Sequence, residues 1–241
     1  MVASARMAAL LHTLRDPAPQ RFVGGDPRQY AGVLGVDGVA VSLAAGDRHS
    51  ELVWSTPGVS ARLDDLQFTL GEGPGVEALQ SLSLVLEHDL GRVPLSRWPL
   101  LLPELTALAV GAVFCFPLRV GAAGVGVLTL HRGRAGPLSP AQMDDAIVLG
   151  AALTGVVLGG DGRPGGPEGD GSGLHRVVVH QASGMVSVQA GVPVAQALLL
   201  LRAHAYRYGR PVVEVAEDVV ARRLRFRDDG QGTDPAVEVR G

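Results

Sequence analysis

Three short helical patterns give the last quarter of the chain its strongest periodicity. They cover about 175–189, 193–208 and the residues from Pro211 onward, with small residues or prolines between them. Apolar side chains recur at three- and four-residue steps in the second and third patterns: Val194, Ala197, Leu198, Leu201, Ala205, Val212, Val215, Ala216, Val219 and Leu224. Isolated helices of this length are marginal in water. Residues 174–227 are therefore predicted to pack as one three-helix unit, with Ala182, Gly184, Ala197 and Ala205 allowing close approach.

Residues 30–158 alternate between strand-like and helical patterns. Strands are predicted over 38–45 and 51–56, on either side of the turn at Gly46 and Asp47. Two further strands, at 112–120 and 124–132, are predicted to form an antiparallel hairpin. Helices are predicted to begin at Pro74 and at Pro140, the latter with Ser139 as its N-cap, and a further helical run ends at Val110. This order predicts an α+β fold in which helices flank one antiparallel sheet.

The remaining segments are predicted to lie outside these two domains. Residues 1–29 begin with a short amphipathic helix that leads into a proline- and glycine-rich turn region. Residues 159–173 contain glycine, proline and charged residues and no apolar side chain to bury, which predicts a flexible linker. Residues 228–241 are acidic and polar and are predicted to form a disordered tail.

Positive charge is concentrated in the three-helix segment. Residues 174–227 contain eight arginines and three acidic residues, so this segment carries +5 while the remaining residues carry −8. Such asymmetry favours a polyanionic partner, above all a nucleic acid. A solvated helical face with the same charges is the alternative, because acidic residues early and basic residues late in a helix complement its dipole. Asp218 and Arg222 have the spacing of an i,i+4 ion pair.

The three-helix segment also carries a motif in each helix. They are Gln181, Ala182, Gly184, Met185 and Val186 in the first, Ala197, Leu198, Leu201, Arg202 and Ala205 in the second, and Val215, Ala216, Val219 and Val220 in the third. With these residues the segment resembles an ANTAR domain, the RNA-binding module of bacterial transcription-antitermination regulators. Many members carry a basic residue where this chain has Ser183. The resemblance implies that the segment binds RNA.

A second resemblance covers most of 30–158. Its carriers are the segments 63–74 (LDDLQFTLGEGP), 97–99 (RWP), 113–132 and 136–146. They resemble a GAF domain, a small-molecule sensor fold. GAF domains of this type often have cysteine at the position of Gly75, so thiol-based sensing there is not expected. Together the two halves resemble GAF and ANTAR antitermination regulators of the actinobacterial type.

The two resemblances imply a ligand-responsive regulator that binds a hairpin in nascent RNA and prevents a terminator from forming. Phosphate contacts are assigned to the arginines of the three-helix segment: Arg176, Arg202, Arg207, Arg210, Arg222 and Arg223. Base contacts are assigned to Gln181 and His204, with Tyr206 as a further candidate. The effector of the sensor half is a small molecule that the sequence does not identify.

Two other functions remain open. A helix-turn-helix regulator would bind duplex DNA, but the apolar middle helix is poorly suited to a DNA groove. A protein-interaction module is the second alternative, since the run Leu198 to Leu201 exceeds what one face of a small bundle can bury. The excess favours either a homodimer or contact with the first domain.

The sequence argues against several chemistries. Cys115 is the only cysteine and lies in an apolar run, which predicts a buried, unreactive side chain. Neither a metal-ligand spacing nor a nucleophile–base spacing occurs, so no metal, cofactor or enzymatic activity is expected. The longest uncharged apolar stretch, 146–160, is shorter than a membrane span requires, and a cytoplasmic location is expected.

Overall fold

The computed structural model describes residues 3–15, 22–44, 50–159, 172–226 and 237–239, without the side chains of 172–176 and 237–239. The chain divides into two compact units, Met1–Gly169 and Asp170–Gly241. The predicted turn at Gly46 and Asp47, the linker residues 160–171 and the tail residues 228–236 lie outside the described residues.

A five-stranded antiparallel sheet forms the centre of the first unit. Its spatial order is β2-β1-β5-β4-β3. The strands are β1 (Gly38–Ala44), β2 (Ser50–Ser55), β3 (Val85–Glu87), β4 (Ala112–Val120) and β5 (Ala123–Arg132). The β4–β5 hairpin turns at Gly121, whose φ of 59° suits glycine. The predicted α+β class, antiparallel sheet and hairpin are confirmed.

Both faces of this sheet are covered by helices. One face packs against α1 (Ala5–Leu11), α2 (Pro27–Leu34) and α6 (Pro140–Gly159). The other face packs against α3 (Val59–Leu70), α4 (Pro74–Ser81) and α5 (Leu101–Ala107). Strand β4 serves both cores, because Phe114 and Phe116 point to the first while Val113 and Cys115 point to the second. Covering both faces explains why β4 reads as a continuous apolar run and not as an alternation.

Two of these helices were not predicted. Helix α2 is capped by Asp26, whose carboxylate accepts the Arg28 N–H at 3.0 Å, and it ends at Gly35 in the left-handed conformation. Helix α3 buries Asp64 and Gln67 together with its apolar residues. These polar residues interrupt the apolar stripe, so the helical period of α3 is weak in the sequence.

The N-terminal segment belongs to the core of the first unit. Met7 and Leu14 are fully buried in the same cluster as Tyr30 and Leu34. The Tyr30 hydroxyl donates a hydrogen bond to the Leu10 carbonyl at 2.7 Å. The predicted division between 1–29 and 30–158 is therefore wrong, because the apolar face of α1 is buried against the sheet domain.

Helix α6 begins as predicted, with Ser139 as its N-cap and Pro140 in its first turn. By length and composition alone α6 could cross a membrane, and the second unit contains a bent helix pair that passes the same test. In the fold α6 covers the sheet and buries Leu149 and Leu153. Asp145 near its start is buried and accepts the Ser4 N–H at 2.7 Å.

The second unit contains the three predicted helices: α7 (Ser172–Ala190), α8 (Val194–Arg207) and α9 (Val212–Val220). Gly209 follows α8 with a φ of 60°, the left-handed conformation in which glycine commonly ends a helix. Two short strands, β6 (Leu224–Phe226) and β7 (Val237–Val239), then pair antiparallel. Two expectations are therefore wrong. Arg222, Arg223 and Arg225 are not helical, and 237–239 form a strand and are not disordered.

Replacing Met7 with Ala is expected to destabilise the first unit by about 2–5 kcal/mol, because a fully buried side chain is truncated. Both tryptophans, Trp54 and Trp98, lie in this unit, so urea unfolding followed by tryptophan fluorescence reports on it alone. Arg6→Ala, at an exposed position of the same helix, is the control. Equal stability of the two variants would contradict the assignment of α1 to this core.

Candidate nucleic-acid interface

Small residues bring the three helices of the second unit together. Ala182, Ala197, Ala205 and Ala216 are completely buried. Gly184 does not have the predicted packing role, because a methyl group added to it would meet no atom within 4 Å. The chain bends by 104° between α7 and α8. Burial of one stripe on each helix fixes which side chains remain at the surface.

Ser183 lies inside this bundle. It is completely buried, and its hydroxyl donates to the Val179 carbonyl at 2.7 Å. This bond to the preceding helical turn satisfies the hydroxyl without a partner from another helix. The side chain at position 183 therefore does not reach solvent and makes no contact with a ligand at the surface.

One carboxylate holds two of the predicted phosphate-binding arginines. Asp218 accepts hydrogen bonds from Arg210 at 2.8 Å and from Arg223 at 2.8 Å. Glu214 lies 3.6 Å from Arg210 as a second acidic partner. Partial burial alone would raise the pKa of Asp218, but the bonds and charges of the two arginines lower it below its ordinary value. Arg210 and Arg223 are therefore structural as well as cationic.

The predicted ion pair between Asp218 and Arg222 does not form. Arg222 has a φ of 61°, which turns the backbone out of the helix one residue after its C-cap. Arg223, one residue further on, binds Asp218 instead. Arg222 is left exposed to solvent. Because the backbone at Arg222 is left-handed, Asp218 pairs with Arg223 and not with Arg222, which a continuous helix would have placed beside it.

The other candidate residues lie in different settings. Arg207 is exposed at the last turn of α8, and Arg202 is half-buried one turn and a half earlier. Gln181 is exposed on α7. The side chain of Arg176 lies outside the described residues. Tyr206 is 56% exposed.

An aromatic stack follows the C-terminal end of α8. The ring centroids of His204 and Tyr208 are 4.4 Å apart, and His204 meets Phe226 of β6 edge-on at 5.6 Å. Arg207 places its Cζ 5.8 Å from the centroid of the Tyr208 ring. Sequence reasoning missed Tyr208 and Phe226. The i,i+4 spacing between His204 and Tyr208 is a signal that could have identified Tyr208 from the sequence.

Burial and the positive charges of Arg210 and Arg207 lower the pKa of His204, against the opposing effect of Asp218. The His204 ring is therefore uncharged at neutral pH. The structure thus places four of the predicted RNA-binding residues at one end of the bundle. They are His204, Arg207, Arg210 and Arg223, the last two of which are joined through Asp218. The structure shows no hydrogen bond, ion pair or ring contact between these residues and Gln181 in the part of the chain that it describes.

Buried polar groups also occur in the first unit, between the sheet and α3. Ser42 of β1 donates to Asp64 of α3. Ser60 and His131 are joined at 2.8 Å, with Ser60 1% and His131 4% exposed. A serine–histidine contact is a feature of nucleophilic sites, but here no surface of either side chain is open to a substrate. No cluster of three histidine, cysteine or acidic residues suited to a metal occurs within the described segments.

Cys115 is completely buried, as predicted. Burial raises the pKa of its thiol to about 12 despite the contact with Thr129. Gly75 lies at the start of α4, where its N–H donates to the Gln67 side chain at 2.7 Å. A shallow, mainly apolar depression of about 510 Å³ opens elsewhere on this unit and is lined in part by Leu90, Val93 and Leu102.

Comparison with known proteins gives a separate result for each unit. Residues 174–220 match the family model of the ANTAR domain. The GAF domain of an Acinetobacter phosphoenolpyruvate-protein phosphotransferase superposes with a TM-score of 0.50 at 14% identity, covering 68% of this chain and 96% of that one. The GAF domain of the corresponding Coxiella burnetii protein gives 0.50 at 13% identity, covering 64% and 93%. No curated protein matches the chain. Residues 174–220 therefore form an ANTAR domain, and the residues before them in the sequence have a GAF-like fold.

Replacing Asp218 with Asn is expected to destabilise the second unit by about 1 kcal/mol, because it weakens bonds to two arginines. The folded-state pKa of Asp218 lies below its unfolded value of about 4, so the carboxylate stabilises the fold above that pH and ceases to do so as pH falls further. The stability difference between wild type and variant should be constant from pH 7 to about 5 and shrink below pH 4.

Urea unfolding followed by the helical circular dichroism signal, beside tryptophan fluorescence for the first unit, measures this difference. Glu217→Gln is the matched control, since Glu217 is the exposed neighbouring acid on the same helix. A loss that is the same in both variants, or that grows as pH falls below 4, would contradict the role assigned to Asp218.

Proposed function

We propose that this chain is a regulator of transcription in which the ANTAR domain binds a hairpin in nascent RNA and prevents a terminator from forming. The observation that carries the proposal is the match of 174–220 to the ANTAR family. The surface of the second unit supports it, because Arg207 and Arg222 are both exposed and Arg207 lies beside the half-exposed ring of Tyr208. Cations and aromatic rings together suit an RNA loop, whose phosphates and unpaired bases are both accessible.

The GAF-like unit supplies the sensing function in this proposal. A small-molecule effector would bind it and alter the activity of the ANTAR domain. The likeness to GAF folds supports this role, and the depression lined by Leu90, Val93 and Leu102 offers an apolar surface for such a ligand. We further propose that the protein is not an enzyme and acts in the cytoplasm, where nascent RNA is made.

Binding to duplex DNA is less well supported. A helix that reads a DNA groove presents polar or basic side chains to the bases. The exposed side chains of α9 include Glu214 and Glu217, which would repel phosphates, and α8 exposes Leu199. The proposal therefore expects preference for hairpin RNA over duplex DNA of the same stem sequence.

Self-association is a second function that a specific observation favours. Val188 and Val194, on either side of the α7–α8 turn, are 85% and 51% exposed, and Leu199 is 62% exposed. Exposed apolar side chains so close in sequence are typical of an interaction surface. A homodimer is compatible with RNA binding, and sedimentation of the full chain with Val188→Asp beside wild type tests it: the variant should be more monomeric.

Replacing both Arg207 and Arg222 with Ala is expected to weaken hairpin binding and flatten its salt dependence. Each arginine that contacts a phosphate releases roughly one counterion, so the slope of log affinity against log salt should fall by about 2 for the pair. The measurement is fluorescence anisotropy of the full chain at several salt concentrations, with a hairpin RNA selected from a pool with a randomised loop.

The control for this experiment replaces Arg119 and Arg134 with Ala, which removes the same charge from exposed positions of the first unit. That variant should keep the wild-type slope. If no hairpin is selected, or if the two double variants lose the same affinity, the proposed RNA-binding function is contradicted.

A further inference from the structure

Tyr208 is an exposed aromatic ring that the fold holds in place from one side. It is 55% exposed, and its centroid lies 4.4 Å from that of His204 at an interplanar angle of 43°. His204 in turn packs at 72° against Phe226, which is 1% exposed. The three rings lead from the core of the second unit to its surface. An aromatic ring so supported retains free surface for one more planar group.

The backbone also restricts this ring. Tyr208 is the C-cap of α8, and its N–H donates to the His204 carbonyl at 3.1 Å. Gly209 then ends the helix in the left-handed conformation, and the Arg210 N–H bonds to the Ala205 carbonyl at 2.9 Å. These bonds fix the Cα of Tyr208 relative to its supporting histidine. A ring that is positioned before binding loses little conformational entropy when a ligand stacks on it.

Charge at this site selects the kind of ligand. The Arg207 guanidinium lies 5.8 Å from the Tyr208 ring, and the positive charges of Arg207 and Arg210 both act on His204. Because His204 is itself uncharged at neutral pH, the stack remains a neutral aromatic surface with cations beside it. An apolar protein side chain would gain nothing from those cations. An unpaired nucleotide has both a planar base and a negative phosphate, so it complements both features.

Tyr206 lacks this arrangement although it lies only two residues away. Tyr206 is 56% exposed and Tyr208 is 55% exposed, so the two are equally accessible. Among the described residues Tyr206 takes part in no ring contact, and it follows no aromatic residue at the i−4 position, which Arg202 occupies. Exposure alone therefore does not distinguish the two tyrosines, whereas the supporting stack does.

We infer that Tyr208, supported by His204 and Phe226, is the stacking platform for one unpaired base of the bound RNA loop, with Arg207 contacting a phosphate next to that base. The inference rests on the proposed RNA-binding function and adds to it the residue that receives a base. Stacking is tolerant of base identity, so the platform contributes affinity more than sequence preference.

The test compares Tyr208→Ala, Tyr208→Phe and Tyr206→Ala in the full chain, with the same loop-selected hairpin RNA. Tyr208→Ala should weaken binding roughly 5- to 100-fold, while Tyr208→Phe, which keeps the ring, should stay within about twofold of wild type. Tyr206→Ala, which removes an equally exposed ring without this support, should weaken binding less than Tyr208→Ala does. The salt slope should be the same for all four proteins, because no phosphate contact is removed.

A second measurement uses the wild-type protein, so its result does not depend on whether the alanine variant folds. Each loop base in turn is replaced by an abasic nucleotide, and one position should lose as much affinity as Tyr208→Ala does. Combined with Tyr208→Ala, that abasic position should cause no further loss.

The outcomes separate the two proposals. If wild type selects no hairpin, the proposed function itself fails. If wild type binds but Tyr208→Ala is unchanged, Tyr206→Ala is weakened as strongly, or every abasic position is tolerated, RNA binding stands and the stacking platform is overturned.

Discussion

Burial of one narrow apolar stripe on each of three short helices is the constraint on which the second unit depends. At 14 and 9 residues, α8 and α9 are marginal as isolated helices, so their apolar stripes are buried against each other and against α7. Alanines at 182, 197, 205 and 216 occupy the contacts without any exposed surface. Arg207, two residues after the inward-facing Ala205, lies on the opposite side of α8, and Tyr208 at the C-cap is 55% exposed. The same packing that stabilises the bundle thus presents its cation and its aromatic ring.

Electrostatics divide the arginines of this unit into two groups. Arg210 and Arg223 are joined through Asp218 and tie the segment after α9 to the end of α8. Arg207 and Arg222 remain at the surface. Asp218 therefore neutralises part of the positive charge of the segment, while Arg207 lies beside the aromatic stack. This division gives Asp218 a positioning role, because it holds the backbone that presents Arg222.

Sequence patterns predicted the architecture better than the site. The antiparallel sheet, its hairpin and the three C-terminal helices followed from period, proline and glycine signals that depend on neighbouring residues alone. Helix α3 was missed because its buried face includes Asp64 and Gln67, whose partners, Ser42 and Gly75, lie outside the helix. The end of α9 was misplaced because only the backbone at Arg222 shows that the helix has stopped. Tyr208 was missed because Phe226, which supports the stack, lies in a strand eighteen positions away.

We propose that structured RNA binds at the end of the bundle formed by α8, the turn after α9 and β6. Hydrogen–deuterium exchange of the full chain with and without a hairpin RNA tests this proposal. Protection of amides at 204–210 and 222–226, with no change across α3 to α5, is the predicted result. Protection confined to the first unit, or no protection at a concentration of RNA that saturates binding, would contradict the account.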